Sequence, residues 1–142
     1  MNLENKVVVI SGGASGLGLA TARYLVKKKK AKVALLDMNR EAGLSAVEEL
    51  GDENAIFIAT DVTEENDVDA AISATIQKFG AIHVDINAAG IVAPKKILDK
   101  NGIAGSINNF RNVINVNLVG LYTVMAKCAE KMALNEPDQN GE

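Results

Sequence analysis

The sequence predicts an α/β fold, a parallel β-sheet with helices packed on its faces, built as one domain. Three observations predict it. Apolar runs of strand length recur at 7–10, 33–36, 55–59 and 82–86, with helical patterns in the intervals. The first run leads straight into the glycine-rich stretch Ser11-Gly-Gly-Ala-Ser-Gly-Leu-Gly18, and the second ends on a single acid, Asp37. Finally, 142 residues with 48% hydrophobic and 23% charged content are enough to bury one ordinary core. Strands alternating with helices imply βαβ units with right-handed crossovers.

Taken in order, the first strand, 7–10, is followed by a loop with a specific physical use. A pyrophosphate needs bare backbone N–H groups aimed at it, and a helix N-terminus supplies them together with a partial positive charge. Glycines let the chain turn sharply and let phosphate oxygens approach where a Cβ would clash. In this reading Gly12 makes the turn, Gly16 admits the ligand, and Gly18 lets the new helix pack against the strand. Along the first helix Leu17, Ala20, Thr21, Tyr24 and Leu25 share a face, which makes Tyr24 a packing residue. Lys27 to Lys30 close that helix, where cations favour the negative end of its dipole.

The second strand, 33–36, delivers Asp37, 19 residues beyond Gly18. That is close to the spacing expected of a carboxylate that accepts the ribose hydroxyls of a dinucleotide. Strand, glycine loop, helix, strand, acid is the order of a Rossmann-type, doubly wound cradle. A 2′-phosphate beside Asp37 would be repelled, Met38 follows it, and the loop carries no Arg or Lys, so NAD is favoured over NADP. Similar loops open helices in methyltransferases, and Asp37 in register is what favours a dinucleotide.

A second helix is expected over 41–50 and a third over 64–79, opened by Asp61-Val62-Thr63-Glu64 and closed by Gly80 as its C-cap. After the fourth strand come Asn87-Ala88-Ala89-Gly90 and then a long polar stretch to Gly105, too long for a simple connection and read as a surface insertion near the site. From about Asn109 a long helix carries Phe110, Ile114, Leu121, Val124, Cys128 and Met132 on one stripe. Asn117 occupies the same stripe. A polar side chain there costs stability unless hydrogen-bonded, so it is either an amide bracing a neighbouring loop or a site residue. His83, the only histidine, has no acid or nucleophile arranged around it and is read as structural. The tail, 135–142, reads as a polar loop leading toward another strand.

Composition excludes several functions. A net charge of −3 argues against a nucleic-acid partner, which would call for a basic face. The single cysteine, Cys128, rules out an internal disulfide and offers no metal constellation. No signal peptide, amphipathic presequence or run of about 18 apolar residues is read in these residues, so no membrane segment is expected. A reducing, cytoplasmic setting fits, or an organelle if a presequence lies outside these residues.

Ser11-Gly12-x-x-x-Gly16-x-Gly18, Asp37, Asp61-Val62, Asn87-Ala88-Ala89-Gly90 and Asn115-Val116-Asn117-Leu118, in that order, resemble the short-chain dehydrogenase/reductase family over essentially the whole chain. Within it the resemblance is greatest to the type 2 3-hydroxyacyl-CoA dehydrogenases, which also act on hydroxysteroids, through the 12–21 stretch, the insertion after Gly90 and 135–139. The resemblance implies that Ser15 and Leu17 meet the pyrophosphate region, Asp37 the adenosine ribose, and Asp61 with Val62 the adenine. Ala88 and Gly90 would line the nicotinamide-side ribose, Asn87 would hold neighbouring strands together, and Asn117 would hold a water of the catalytic proton relay. Ser11 stands where the family usually has Thr, and Ala88 where it has Asn or, in this subgroup, Cys.

Catalysis in the family also rests on a Ser and a Tyr-x-x-x-Lys pair, which these residues do not supply. Tyr122 is followed four places on by Ala126, and Tyr24 with Lys28 fits the spacing only within the first helix. The 142 residues are therefore read as the N-terminal half of a single-domain NAD-dependent dehydrogenase, inactive alone, with an incomplete sheet of strand order 3-2-1-4. Its substrate would be a secondary alcohol of the 3-hydroxyacyl-CoA or steroid class, and the complete protein would be a homodimer or homotetramer. The alternative is a non-enzymatic NAD-binding or scaffold protein.

Overall fold

A computed structural model describes residues 2–94 and 96–137. Lys95 of the expected insertion and 138–142 of the expected tail lie outside the described residues. Four strands, β1 (Val7–Ser11), β2 (Lys32–Asp37), β3 (Ala55–Ala59) and β4 (Val84–Asn87), form one parallel sheet in the order β3-β2-β1-β4. The connections run through α1 (Gly16–Lys29), α2 (Arg40–Leu50) and α3 (Glu65–Phe79). After β4 come α4 (Ile107–Ile114), a π-helical turn (Asn115–Gly120) and α5 (Leu121–Met132).

The sheet is covered on both faces, and the pleat decides which residue goes where. Val8, Ile10, Val33 and Leu35 join Ala22 and Leu25 of α1 and Ala46 and Leu50 of α2 in one core. Their neighbours Val9, Ala34 and Leu36 join Val68, Ala71 and Ile72 of α3 and Val124 and Cys128 of α5 in the other. Every residue of β1 is buried, which is why the strand reads as a continuous apolar run instead of an alternation. The chain winds outward from β1 to β3, then crosses back to place β4 on the other side of β1. That reversal opens a crevice at the C-terminal ends of β1 and β4.

Several expectations are corrected. The buried stripe of α1 is Gly18, Ala22 and Leu25, while Leu17 and Tyr24 are exposed, the latter with Lys29 Nζ 5.7 Å from its ring centre. Small residues face the sheet because α1 crosses it closely; a Cβ on Gly18 would lie 2.1 Å from Gly12 O, so this glycine admits the loop's backbone more than the strand's. The long helix starts at Ile107, capped by Ser106 accepting from Asn109 N–H, and is interrupted by the π turn. The extra residue per turn shifts the phase of the stripe. Gly120, Val124 and Cys128 are buried, whereas Phe110 and Ile114 face outward and Asn117 is exposed. The fourth strand begins at Val84, two residues later than expected, because His83 accepts the Val7 N–H on its Nδ1 at 3.0 Å. Burial and nearby Lys6 lower the pKa of this histidine, in keeping with its acceptor role.

Other elements follow the expectation. Gly80 caps α3 at φ 86°, donating to Ile76 O at 2.7 Å. The lysine run ends α1 and is partly paired: Lys27 meets Glu49 at 2.8 Å and Lys30 meets Glu4 at 3.4 Å. Among the described residues no helix is long and apolar enough to cross a membrane, and no cluster of potential metal ligands occurs.

Candidate functional site

The crevice beside the switch in strand order is lined from end to end by the glycine loop, the ends of β2 and β3, and the loop after β4. Its volume is about 380 Å³, and its lining includes all nine residues expected to hold a cofactor: Gly12, Ser15, Leu17, Gly18, Asp37, Asp61, Val62, Ala88 and Gly90.

Gly12 leaves β1 at φ 67° and donates its N–H to Leu36 O, which turns the chain back over the sheet. A Cβ there would stand 2.7 Å from the Ala88 carbonyl carbon and the Ala89 nitrogen, so only glycine lets the two loops touch. Gly16, at φ 50°, faces open space, with no atom within 4 Å of a built Cβ. Ser15 caps α1 through its backbone but makes no side-chain cap bond, and the first turn holds no acid. Among the described residues, then, no side chain caps the positive end of α1, a setting whose N–H groups suit an anion.

Asp37 ends β2 with both carboxylate oxygens engaged. Oδ2 accepts the Ala14 N–H at 3.1 Å and Oδ1 the Asn39 N–H at 3.0 Å, so the acid braces the glycine loop as well as facing the crevice. A carboxylate has about four lone-pair positions, which leaves two for incoming hydroxyls. At the end of β3, Asp61 Oδ1 accepts both the N–H and the hydroxyl of Thr63, at 2.9 and 2.7 Å, which sets the turn into α3. Val62 is buried under Gly120, where a Cβ would come within 2.6 Å of Val62 Cγ2. The π turn thus ends on a glycine that lets it sit against the crevice wall.

At the other end, Asn117 clamps the loop after β4. Its Oδ1 accepts the Ile91 N–H at 2.8 Å and its Nδ2 donates to Ile91 O at 2.9 Å. The residue therefore sits beside the crevice, in a π turn, as a brace of the loop that carries Gly90. One amide hydrogen and one lone pair remain for a water. Asn87 accepts from Ser11 Oγ at 3.2 Å and so ties β4 to β1.

Sequence reasoning missed Thr60, Ile91 and Val116 in the lining. Thr60 sits one residue before the expected Asp61, and Ile91 one residue after Gly90; adjacency was the available signal. It also passed over Asp85, an acid inside the apolar run of β4, a half-buried residue whose Oδ1 is out of reach of solvent and unpartnered among the described residues.

The family model described as short chain dehydrogenase matches residues 6–141. The chain is 42% identical over 142 residues to 3-hydroxyacyl-CoA dehydrogenase type-2 of Bos taurus, covering 99% of this chain and 54% of that protein. It therefore spans about half the length of the curated relatives it matches. The crystal structure of 3-hydroxyacyl-CoA dehydrogenase type-2 from Mycobacterium avium superposes with a TM-score of 0.89 at 34% identity, covering 99% of this chain and 54% of that one. The 3-ketoacyl-(acyl-carrier-protein) reductase from Brucella melitensis, complexed with NADH, superposes with a TM-score of 0.81 at 32% identity, over 91% of this chain and 51% of its own. A glycine loop cradled on a 3-2-1-4 sheet, a family match along nearly its whole length and these two superpositions all agree: the chain belongs to the short-chain dehydrogenase family.

Proposed function

We propose that the crevice binds NAD and that these residues are the cofactor-holding half of a dehydrogenase acting on a secondary alcohol of the 3-hydroxyacyl-CoA or hydroxysteroid type. The observation that carries the reading is the uncapped, acid-free N-terminus of α1 opening into the same crevice as Asp37. One end offers N–H groups and positive potential to a pyrophosphate; the other offers a carboxylate to a pair of ribose hydroxyls. The relatives' names support the substrate class, and an NADH-complexed neighbour supports the cofactor.

In this reading Gly12 and Gly16 keep side chains out of the pyrophosphate's path and Ser15 offers an unengaged hydroxyl. Asp37 accepts the adenosine ribose hydroxyls and disfavours a 2′-phosphate by charge, while Asp61 and Val62 border the adenine. Ala88 and Gly90 line the nicotinamide-side ribose, with small side chains that leave it room. When bound, NAD supplies a hydride acceptor. Asn117 holds the 90–91 corner in place and keeps one N–H and one lone pair for a water of the proton path. The exposed apolar stripe of Phe110, Ile114, Leu118 and Tyr122 is the face on which a second copy would pack.

Calorimetric titration of the full-length protein with NADH, NADPH and S-adenosylmethionine tests the reading. NADH is expected to bind at least about tenfold more tightly than NADPH, the worth of about 1.4 kcal/mol. Preference for NADPH would overturn the role given to Asp37, and preference for S-adenosylmethionine would overturn the reading as a whole. NADH binding with no turnover of any secondary alcohol would favour a scaffold.

A further inference from the structure

Under the loop that carries Ala88 and Gly90, the sheet holds an acid for which the cofactor site has no use. Asp85 lies opposite Val9 in the β1–β4 register. Its Oδ2 accepts from Asn87 Nδ2 in a short contact, and its carboxyl also meets the Cys128 thiol of α5. The remaining oxygen, Oδ1, is out of reach of solvent and has no partner among the described residues. Among the described residues no cation bears on it: the ionisable group facing it from α5 is the Cys128 thiol, and β1 presents Val9 and the hydroxyl of Ser11. An apolar residue would fill a strand position of this kind at lower cost, because a carboxyl oxygen held out of water without a partner is expensive.

From Asp85 the hydrogen bonds lead to the crevice. Asn87 presents Nδ2 to the carboxylate and so must present Oδ1 to Ser11, whose hydroxyl donates to it at 3.2 Å. Ser11 Oγ in turn accepts the Ala89 N–H at 3.4 Å. Ala89 lies in the crevice lining, between Ala88 and Gly90. An amide has only two orientations, so whichever group Asp85 offers to Asn87 decides which group Asn87 offers to Ser11.

We propose that Asp85 is a positioning residue for the loop on the nicotinamide side of the crevice, setting the Asn87 amide and, through the Ser11 hydroxyl, the Ala89 N–H. Burial pushes the Asp85 carboxyl above the ordinary carboxylate range, and it pushes the Cys128 thiol up as well. The proton is therefore taken up at a higher pH than by an ordinary aspartate. Once protonated, the carboxyl donates to Asn87 Oδ1; the amide turns over, Nδ2 donates to Ser11 Oγ, the Ser11 hydrogen rotates off Asn87, and Oγ then accepts from Asn87 and Ala89 together, which changes the seat of the loop. The hydrogen-bond chain belongs to the ligand-free protein, and only its effect on cofactor affinity rests on the NAD reading.

Full-length protein labelled with 15N at Asn and Ala tests this by NMR, with NADH titrations at the same pH values. In the parent protein the Asn87 side-chain NH2 and the Ala89 N–H are expected to move together, with one midpoint above the 3.8 of an ordinary aspartate. Asp85→Asn, a neutral isostere, abolishes that shared transition and makes NADH affinity independent of pH across it. Asp85→Leu frees the amide and weakens NADH binding about fivefold at neutral pH, the equivalent of one net hydrogen bond of about 1 kcal/mol. The proposal is overturned if the two signals do not move together, or if they still do so in Asp85→Asn. A shared transition in a parent protein that binds no NADH would uphold the positioning role and overturn the cofactor reading alone.

Discussion

Gly18→Ala tests whether the start of α1 is seated on the backbone of the glycine loop. The added Cβ would lie 2.1 Å from Gly12 O and 2.9 Å from the Gly12 carbonyl carbon, and ordinary contact begins at 3.4 Å. The overlap with the oxygen is thus about 1.3 Å, and both atoms are backbone, fixed by Gly12 N–H bonding to Leu36 O. Relief requires α1 to lift from the sheet, and overpacking of this severity costs about 3 kcal/mol. For a chain of this size that corresponds to a fall in melting temperature of about 10 °C. Gly16→Ala is the control: its Cβ meets nothing, so only the left-handed φ of 50° is strained, at about 1 kcal/mol and about 3 °C. The order reverses for the ligand, because the Gly16 Cβ would project into the space before the α1 N-terminus. Scanning fluorimetry and NADH calorimetry on full-length variants read both effects. A Gly18→Ala protein melting within about 2 °C of the parent, against the cost expected of overpacking, would refute the packing argument.

Three further outcomes follow from the same geometry. Asp37→Asn retains an acceptor for the Ala14 N–H but removes the charge; NADH affinity should fall at least about tenfold, in line with about 1.5–3 kcal/mol for hydrogen bonds to a charged group, while the NADPH to NADH ratio rises, both by calorimetry. Glu49, held at about 2 by hydrogen bonds from Arg23 and then Lys27, has a depressed pKa, so its stabilising pairs are present above the ordinary value of 4.5 and are lost as pH falls from there toward about 2. The denaturant midpoints of the parent and Glu49→Gln should therefore differ at neutral pH and converge across that acid window; a constant gap would contradict the pairing. Leu118→Arg, on the exposed apolar stripe, should shift sedimentation of the full-length protein toward monomer, and an unchanged assembly would remove that face from the interface.

Much of the site was legible along the chain because its parts are local. A glycine where φ is positive, an acid at the end of an apolar run and a glycine after a helical pattern each have one physical reading, and Gly12, Asp37 and Gly80 are found where that reading puts them. The inward face of α1 was not legible. Periodicity scores large apolar residues, and here close approach to the loop selected Gly18 and Ala22 and left Leu17 and Tyr24 outside. The π turn leaves no mark in composition, since it adds one residue to a turn without breaking the helix, yet it takes Asn117 out of the buried stripe and sets it against Ile91.

Asp85 shows the same division. Its presence in an apolar run was visible, but its meaning depends on Asn87, Ser11 and Cys128, contributed by two strands and a helix. The α/β class, the strands of the sheet, the turn of the glycine loop and an acid at the end of β2 follow from the order of residues alone, because each depends on neighbours within a few positions. Which helix face turns inward, how Asn117 uses its amide, and which groups surround Asp85 were decided by tertiary packing. Those outcomes depend on contacts between residues as much as 78 positions apart, such as Ser11 with Ala89, and no local pattern encodes them.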